Sequence, residues 1–561
     1  MDQHSRRTIL ISDFNLSNLA SLLSITADAA AMPTTLAPFG QVYQTLRDAH
    51  LECWQTPYDL AVVWTRPQGV IEAFAALLRG ETTDSARILS QVDEFAEAVL
   101  ALQGHVGAVL IPSWVAAEYD APTGIRAFAG ATGLSALLMR MNLRLAEKVS
   151  SQSNFYVLDT GRWIQTAGRG AFSPKLWYLA KIPFAQEVLA EAAVSITAAA
   201  DALAGRSRKL IVTDLDNTLW GGIVGDLGWE KLTLGGHDPT GEAYQDFQAA
   251  LKSLKSRGVL LAIVSKNEET AALAAIDRHP EMILRRDDFI TWRINWDDKA
   301  ANLVSLATEL NLGLQSIVFL DDSAVERARV RETLPEVLVP ELPEDKLLYR
   351  QTLMELRCFD QPSLSEEDLR RTDLYRGEQQ RAQLLEQVGS FEHWLETLQT
   401  VVVVEDLKSV NLSRTVQLLN KTNQMNLTTR RLTETELLGW LNSPNRSLKT
   451  LRVTDKFGDS GLTGIISWEC AADQLQIIDF VLSCRVMGRK VEETMLHLAV
   501  AAARYDNLRA VTLNYLKTEK NSPCLKFLQR SGLSVASDGA TFSWECSAVY
   551  PQPAGIKIER G

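Results

Sequence analysis

The amino-acid sequence predicts an α/β protein of several domains from its length, its alternating pattern and its strand ends. A chain of 561 residues is too long for one hydrophobic core, and this length favours roughly three domains. Short apolar runs of β type alternate with helical stretches, as expected of parallel sheets covered by helices. In the middle of the chain each such run ends in a polar residue, and open parallel sheets bind ligands beyond those ends.

Residues 1–204 are predicted to form a first α/β domain. Its strand-like runs are TILIS, LAVVW, HVGAVLIPSW and NFYVLDT, and its predicted helices include Gly69–Leu78 and Ala127–Val149. Residues 205–345 repeat the rhythm more cleanly and predict a second domain with a parallel sheet. Its strands are KLIVTDLD, VLLAIVS and SIVFLDD, separated by helices such as Ala243–Arg257 and Asp298–Leu310.

The remaining chain predicts a helical connector and an α+β domain. Residues 346–398 are charged and favour helix, which is typical of a connector. Residues 399–561 contain the strand-like runs TVVVVEDL, LTGIISWECA, LQIIDFVLS and AVTLNYLK. Helices are predicted near Glu434–Leu441 and Val491–Arg504. We therefore expect a third domain with strands and helices over 399–561.

Composition narrows the classes of function. The net charge of −12 argues against a general nucleic-acid binder, which needs a basic surface. The six cysteines show no CxxC spacing, which argues against a zinc site and against a disulfide scaffold. No run reaches the roughly 18 uncharged apolar residues of a membrane span, and the N-terminus lacks the apolar segment of a signal peptide. These features predict a cytoplasmic protein with reduced thiols and no membrane partner.

Two carboxylates, Asp214 and Asp216, directly follow the first strand of the middle region. At this spacing they can share one cation, Asp214 can attack phosphorus, and Asp216 can protonate a leaving oxygen. A lone pair of this kind is also typical of a solvated turn or a helix cap. Three further pieces follow in order: Ser265 at a strand end, Lys299 opening a helix, and the pair Asp321–Asp322 after a strand. Together they favour a magnesium-dependent phosphoryl-transfer site.

These pieces resemble the haloacid dehalogenase (HAD) superfamily of phosphotransferases, whose core is a Rossmann-like parallel sheet. The strings DLDNTLWGGIVGDLG, SKN, HPEMILRRDDF, NWDDK and FLDDSAVERA narrow the resemblance to FkbH-like glyceryl transferase/phosphatases. The resemblance implies that Asp214 is the nucleophile, that Asp216 is the acid/base and that Lys299 stabilises the phosphoryl group. It also implies phosphate contacts from Thr218, Ser265, Lys266 and Asn267, and Mg²⁺ ligands from Asp214, Asp216, Asp321 and Asp322.

The intervals between the four pieces leave no room for a large cap domain. A separate domain needs at least roughly 50 residues beyond the core elements. A site without its own lid is open to a bulky partner or is closed by neighbouring domains. Both arrangements favour a protein-bound substrate over a small free metabolite.

The loop Ser483–Lys490 opens a helix in the third region, and free amides at such a helix start can bind phosphate. Arg485, Gly488 and Arg489 in this loop resemble the RxxGxG/A loop of GNAT acyltransferases, which holds the diphosphate of acyl-CoA. Lys490 replaces the last small residue, which is consistent with a carrier-protein phosphopantetheine arm instead of CoA. The alternative is an ordinary basic helix start.

Cys484 lies in the same loop beside a cation, where a thiol has a lowered pKa and can act as a nucleophile. In FkbH-like enzymes the glyceryl unit of 1,3-bisphosphoglycerate is thought to pass through such a thioester to a carrier protein. The alternative is a small buried structural cysteine. Positive charge around the loop would steer an acidic carrier protein, unless it is merely a solvated face; the residues are Arg430, Arg431, Arg485, Arg489, Lys490, Lys517, Lys520 and Lys526.

The segments NKTNQMNLTTRR (420–431) and DKFGDSGLTG (455–464) and the surroundings of Asn521 also resemble this family. They predict a polar pocket rim, and the alternative is a set of solvated helix caps and turns. In the first region, ISDFNLSNL resembles the first block of SGNH hydrolases. Ser12 precedes Asp13 there, and no DxxH follows, so we expect a non-hydrolytic SGNH-like domain that scaffolds or closes the phosphatase site.

The sequence thus predicts a three-domain enzyme that transfers a glyceryl unit from 1,3-bisphosphoglycerate to an acyl carrier protein with dephosphorylation, supplying a polyketide-type unit. One alternative is a phosphatase without acyl transfer. A second is a non-catalytic scaffold of an assembly line. A third, an acetyl-CoA-dependent acyltransferase fused to a phosphatase, is disfavoured by Lys490.

Overall fold

The computed structural model describes residues 6–25, 32–120, 124–129, 133–150, 152, 154–362, 371–518 and 520–561. The chain divides into two compact units, residues 1–207 with 360–362, and residues 208–359 with 363–561. Among the described residues, no helix is both long and apolar enough to span a membrane.

The first unit is a parallel sheet between two helical layers. In its described part the strand order is β2-β1-β3-β4-β5, formed by β1 (Thr8–Ile11), β2 (Thr34–Leu36), β3 (Tyr58–Val63), β4 (Val106–Pro112) and β5 (Phe155–Leu158). Side chains alternate between two cores: Ile9 and Ile11 pack on one face, and Leu10 packs on the other. The helices are α1 (Ser17–Ile25), α2 (Val42–Arg47), α3 (Pro67–Val70), α4 (Glu72–Leu78), α5 (Ser85–Leu100), α6 (Leu134–Val149), α7 (Thr160–Ala167), α8 (Pro174–Ala180) and α9 (Gln186–Leu203).

Two predicted helices of this unit have different bounds in the structure. The stretch 69–78 is interrupted at Ile71, whose extended backbone separates α3 from α4. The helix predicted from Ala127 begins only at Leu134, after Gly133, which has extended backbone angles. Glycine is costly inside a helix, and this cost explains the later start.

The second unit begins with another parallel sheet. Its described strands are ordered β8-β7-β6-β9, with bounds β6 (Leu210–Thr213), β7 (Leu260–Ser265), β8 (Thr291–Ile294) and β9 (Ile317–Leu320). The helices are α10 (Val224–Leu227), α11 (Pro239–Ser256), α12 (Glu269–Arg278), α13 (Lys299–Glu309), α14 (Ala324–Thr333) and α15 (Tyr349–Glu355). Tyr349 and Leu353 of α15, with Phe359, pack in the core on one face of this sheet. This core therefore includes residues beyond 345.

The chain then continues into a large mixed sheet. The path through its described strands is β16-β17-β15-β14-β13-β12-β10-β18, and β11 pairs with β14 outside that path. Their bounds are β10 (Thr400–Asp406), β11 (Met425–Asn426), β12 (Arg446–Asp455), β13 (Gly458–Ala471), β14 (Gln474–Leu482), β15 (Ala510–Asn514), β16 (Ser534–Val535), β17 (Thr541–Glu545) and β18 (Ile556–Arg560). The helices are α16 (Arg371–Val388), α17 (Phe391–Leu398), α18 (Ser409–Lys421), α19 (Glu434–Leu441), α20 (Val491–Tyr505) and α21 (Ser522–Arg530).

The parallel strands β14 and β15 pair only as far as Ile477 and Leu513. Beyond that point the end of β14 pairs with β11 instead, at Val481 and Leu482. The chain after β15 reaches the same insert, because the amide of Leu516 donates to the carbonyl of Leu427. Residues 425–427 thus lie between the diverging ends of the two strands.

Candidate active site

A group of three carboxylates lies at the carboxyl end of the second parallel sheet. Asp214 follows β6, and Asp321 and Asp322 follow the neighbouring strand β9, with Thr213 in register with Leu320. One carboxylate oxygen of each lies within 4.8 Å of the others. Such closely spaced hard oxygen ligands suit Mg²⁺.

The surroundings of the group also fit a cation. Oδ1 of Asp214 is buried and, within the described part of the chain, has no hydrogen-bond partner. Burial and the nearby charge of Asp214 raise the pKa of Asp321 to about 6. Burial likewise raises the pKa of Asp322. Carboxylates that repel one another in a poorly hydrated site are stabilised by a bound divalent ion.

Lys299 connects two members of the group. It opens α13, whose first turn is capped by the side chain of Asp298. Its Nζ lies 3.0 Å from Oδ2 of Asp214 and 2.6 Å from Oδ2 of Asp321, and only 4% of the residue is exposed. Burial acts to lower the pKa of Lys299, but the two carboxylates outweigh it and the pKa is raised. Lys299 therefore stays cationic beside Asp214.

The structure does not bring the carboxylate of Asp216 into the metal-ligand group, although the sequence predicted it there. Oδ1 of Asp216 accepts hydrogen bonds from Nε1 of Trp220 (2.9 Å) and the amide of Val224 (3.1 Å). Oδ2 accepts one from Nδ2 of Asn267 (2.8 Å). The next residue, Asn217, has a left-handed backbone (φ 54°), so the chain turns there before it reaches Trp220 and Val224. The three donors hold this carboxylate in one orientation.

Thr218 and Asn267, both predicted to bind phosphate, hold other site residues. The hydroxyl of Thr218 accepts from the amide of Asp322 at 3.2 Å and so fixes one carboxylate of the group. Asn267 donates to Asp216, as described above. Thr218 and Asn267 are both buried. Their contacts make them positioning residues for Asp322 and Asp216.

Ser265 is the last residue of β7, and Lys266 follows it at the same sheet edge. Ser265 is buried, and its Oγ accepts a long hydrogen bond from Nδ2 of Asn267 (3.4 Å). Nζ of Lys266 forms an ion pair with Oε1 of Glu326 at 2.7 Å. The charge of Lys266, predicted to serve phosphate, is thus balanced by Glu326.

The sequence reasoning missed two cations of this site, Arg327 and Lys346. Nη1 of Arg327 donates to the backbone carbonyls of Asp321 (2.9 Å) and Asp322 (2.8 Å), and Glu341 holds the rest of the guanidinium. Arg327 lies inside the quoted string FLDDSAVERA, so its position was visible although its role was not. Nζ of Lys346 lies 3.9 Å from Oδ2 of Asp322. Lys346 belongs to no motif and falls in the predicted connector.

The loop before α20 differs from the anion-binding loop that the sequence predicted. Arg489, predicted to bind pantetheine, is buried, and its Nη1 lies 3.2 Å from Oδ2 of Asp455. Gly488 has φ 74°, and its amide donates to Oε1 of Glu492 at 2.7 Å. The amide of Gly488 is therefore already bound by a carboxylate of the same chain, and the guanidinium of Arg489 is paired with Asp455 inside the protein. Arg485 is half-buried, whereas the side chain of Cys484 lies outside the described residues.

Hydrogen bonds within the protein fix the centre of the polar segment around β11. Asn521 is fully buried, and its Oδ1 accepts from the hydroxyl of Tyr515 (2.7 Å) and the amide of Thr518 (2.8 Å). Its Nδ2 donates to the carbonyls of Asn426 and Leu516. With every polar atom of this amide paired, Asn521 fixes the chain around residues 425–427. Lys517 and Lys520 beside it are exposed.

An ion pair lies directly after β1 of the first unit, in the string that the sequence analysis compared with SGNH hydrolases. Asp13 follows β1, and its carboxylate accepts from the amide of Arg66 (2.7 Å) and from its Nε (2.9 Å). The guanidinium carbon of Arg66 lies 3.7 Å from the ring centroid of Trp177. The Oγ of Ser12 accepts from the amide of Phe14 and serves the turn. The Oγ of Ser12 is thus engaged by the backbone of its own turn.

A scan against models of protein families finds no match, and a search of curated proteins also finds none. Among solved structures, the chain is similar to the N-terminal part of BF1531 from Bacteroides fragilis, containing a phosphatase domain complexed with Mg. The identity is 29% and the TM-score 0.58, over 64% of this chain and 95% of that one. This likeness supports an α/β fold with parallel sheets and a phosphatase-type domain.

Two acetyltransferases match the chain over smaller fractions. The ribosomal-protein-S18-alanine N-acetyltransferase of Escherichia coli is 7% identical over 27% of this chain and 97% of its own, with TM-score 0.20. The PaiA N-acetyltransferase of Thermoplasma acidophilum, in complex with coenzyme A, is 16% identical over 26% and 97%, with TM-score 0.21.

Proposed function

We propose that this chain is a magnesium-dependent phosphatase with Asp214 as nucleophile, and that it loads a glyceryl unit onto an acyl carrier protein. The observation that carries the phosphatase is the buried group of Asp214, Asp321 and Asp322, with Lys299 bound to two of its members. The similarity to BF1531, whose phosphatase domain was solved with Mg, supports the choice of ion. Asp214, Asp321 and Asp322 would hold it.

The proposed phosphatase reaction has two steps. An oxygen of Asp214 attacks the phosphorus, the ester P–O bond breaks, and protonated Asp216 gives its proton to the leaving oxygen. Asp216 then takes a proton from the water that attacks the aspartyl-phosphate, which releases phosphate and restores Asp214. Lys299 stabilises the charge on the phosphoryl oxygens. Mg²⁺, when bound, neutralises further negative charge and aligns the phosphoryl group.

The loading half of the proposal concerns 1,3-bisphosphoglycerate and Cys484. The Cys484 thiolate attacks the acyl carbon, the C–O bond to the acyl phosphate breaks, and phosphate leaves. The carrier-protein thiol then attacks this thioester and frees Cys484. Asp214 removes the remaining ester phosphate. This half is supported by the FkbH-like strings and the exposed Lys517 and Lys520, and we place it in a reducing cytoplasm, on a polyketide-type pathway.

A phosphatase without acyl transfer is the second candidate. It is favoured by the loop before α20, where Asp455 engages Arg489 and Glu492 occupies the amide of Gly488. A loop arranged in this way has fewer groups for a phosphopantetheine arm. A non-catalytic scaffold is the third candidate, and the same experiment tests it.

The test is the intact mass of an acyl carrier protein after incubation with the full chain, 1,3-bisphosphoglycerate and Mg²⁺. We expect a glyceryl increment and released phosphate. Asp214→Asn is expected to leave a phosphoglyceryl increment, with ester-phosphate release lowered by roughly 10⁴-fold. Cys484→Ala is expected to abolish the increment. The control is Asp226→Asn, an exposed carboxylate in α10 that leaves both readouts unchanged.

Each other result contradicts part of the proposal. Phosphate release without a mass increment supports the phosphatase alone. Full loading by Cys484→Ala rules out the thioester on that residue. Neither release nor increment supports the scaffold, and unchanged phosphate release by Asp214→Asn rules out the proposed nucleophile.

A further inference from the structure

We infer that Lys346 is a second cationic contact for the phosphoryl group, on the side of the site where Asp322 lies. The inference rests on the proposed phosphatase function. Lys346 comes from the segment after the parallel sheet and belongs to none of the four pieces that defined the site. Its Nζ is 3.9 Å from Oδ2 of Asp322, close to the carboxylate group without being locked to it.

The other two lysines of the site are more closely bound to carboxylates. Lys299 contacts Asp214 and Asp321 within 3.0 Å. Lys266 is paired with Glu326 at 2.7 Å. The ammonium of Lys346, by contrast, lies 3.9 Å from the carboxylate of Asp322, which is the longest of these lysine–carboxylate distances. About a quarter of the Lys346 side chain is exposed. Lys346 is therefore the lysine best placed to exchange a carboxylate for a substrate oxygen.

The charge balance of the site calls for such a cation. Asp214, Asp321 and Asp322 bring three negative charges, against which Lys299 and one Mg²⁺ bring three positive ones. An incoming phosphate monoester adds up to two negative charges beside these largely buried carboxylates, where uncompensated charge is costly. Lys346 supplies one positive charge to offset them.

The turn that begins at Lys346 and the neighbouring Tyr349 also restrain the position of the Lys346 side chain. It opens a turn, Lys346–Leu348, capped by Asp345, whose carboxylate accepts from the amide of Leu347 at 3.0 Å. The ammonium donates to the hydroxyl of Tyr349 and lies 4.8 Å from the centroid of its ring. Tyr349 is fully buried and packs edge-on against the rings of Tyr244 and Phe247. Tyr349 thus keeps the ammonium near Asp322 before a substrate arrives, which lowers the entropic cost of binding.

The test measures binding of inorganic phosphate to the Mg²⁺-loaded full chain by calorimetry at low ionic strength. For Lys346→Met we expect a phosphate Kd about tenfold higher, and for Lys346→Arg a Kd within about threefold of the unchanged protein. Tyr349→Phe keeps the charge and loses its anchoring hydroxyl, so we expect a shift of about threefold in the same direction. The matched control is Lys252→Met, a half-exposed lysine on α11 paired with Asp288, with unchanged phosphate binding.

Affinity for Mg²⁺ without phosphate separates a substrate contact from a mere support of Asp322. A substrate contact predicts that Lys346→Met binds Mg²⁺ as tightly as before or tighter, because a nearby cation has been removed. Weaker Mg²⁺ binding with unchanged phosphate Kd would overturn the inference. Unfolding temperatures of all variants exclude general damage as the cause of a lost phosphate signal.

The phosphatase proposal is tested separately by hydrolysis of 4-nitrophenyl phosphate. Hydrolysis with a phosphate Kd unchanged by Lys346→Met contradicts the role of Lys346 alone. Mg²⁺-dependent phosphate binding that is sensitive to Lys346→Met, without hydrolysis, contradicts the phosphatase alone. A protein that does not bind phosphate in Mg²⁺ contradicts the inference.

Discussion

Glu492 occupies the first turn of α20, with one carboxylate oxygen on the amide of Gly488 and the other buried. That second oxygen, Oε2, has no hydrogen-bond partner within the described chain. Burial destabilises the charged form of such a carboxylate, because it removes the water that would hydrate it. Burial accordingly raises the pKa of Glu492 to about 7. The residue therefore couples protonation near neutral pH to the stability of the loop before α20.

The first prediction is that Glu492 makes stability depend on pH between its ordinary pKa of 4.5 and about 7. In this range the folded protein holds a proton that the unfolded chain has lost, so the free energy of unfolding rises as pH falls. Glu492→Gln keeps an acceptor for Gly488 and removes the charge. We expect this variant to be more stable at pH 8, by up to about 3 kcal/mol, and equal near pH 4.5.

Chemical denaturation of both proteins at several pH values measures this difference. The control Glu545→Gln removes an exposed carboxylate of β17 and should leave the pH dependence unchanged. A stability difference for Glu492→Gln that is constant from pH 5 to pH 8 would contradict the assignment.

Single residues also mark the limit of what spacing along the chain can predict. The order of Asp214, Lys299, Asp321 and Asp322 indicated a common sheet edge, because the carboxyl ends of parallel strands meet there. The orientation of the Asp216 carboxylate depends on the left-handed backbone of Asn217, which spacing does not reveal. The burial of Arg489 depends on Asp455, a distant residue in sequence, so an exposed anion-binding role was the natural expectation.

At the scale of elements, the strongly apolar strands were predictable and the mixed ones were not. β6, β7 and β9 are wholly buried, and their continuous apolar runs are typical of a sheet covered on both faces. β12 reads RSLKTLRVTD and was missed, because seven of its 10 residues are polar and no apolar run marks it. β11 has only two residues and exists because β14 offers a free edge. Such an element depends on tertiary pairing and leaves little local signal.

The helix α16 is fixed to the mixed sheet by one buried ion pair. Arg381 binds Asp455 at the end of β12 through two hydrogen bonds, Nε to Oδ2 (2.6 Å) and Nη2 to Oδ1 (2.8 Å). Both side chains are almost wholly buried. The carbonyl of Arg381 also accepts from the indole of Trp394 in α17. The predicted connector is thus attached, at this point, to the domain that follows it.

The second prediction is that Arg381→Met destabilises the second unit by about 1.5–3 kcal/mol, because the buried carboxylate of Asp455 loses its bidentate partner and keeps only Arg489. Arg381→Lys retains the charge without the planar fork and should recover only part of this loss. Urea unfolding and the rate of proteolysis within α16 are the measurements. The control, Arg452→Met, breaks an exposed ion pair on the same strand and should cost at most about 1 kcal/mol. Equal effects of Arg381→Met and Arg452→Met would contradict the role of the buried pair.

At the scale of the whole molecule, the chain is two compact units, of which the second contains both the carboxylate group and the mixed sheet. The alternation of apolar runs and helices predicted the α/β class with parallel sheets from sequence. A bound ion stabilises only the unit that contains its ligands.

The third prediction concerns calorimetric unfolding, for which we expect at least two transitions. Mg²⁺ at 100 times its Kd should stabilise one of them by about 2.7 kcal/mol, and Asp322→Asn should abolish that shift. Leu145→Ala, in the buried face of α6, should lower only the transition of the first unit, which assigns the peaks. An Mg²⁺ shift in the transition that Leu145→Ala lowers would contradict the location of the metal site.

The short insert at residues 425–427 has a consequence for access. Because it hydrogen-bonds to β14 on one side and to the chain after β15 on the other, it fills the gap where the two strands separate. The buried Nδ2 of Asn521 donates to the carbonyl of Asn426 and so holds this insert in position. The phosphopantetheine arm proposed above would therefore meet hydrogen-bonded backbone here and not a gap between the strands. The exposed Lys517 and Lys520 follow directly on the chain after β15.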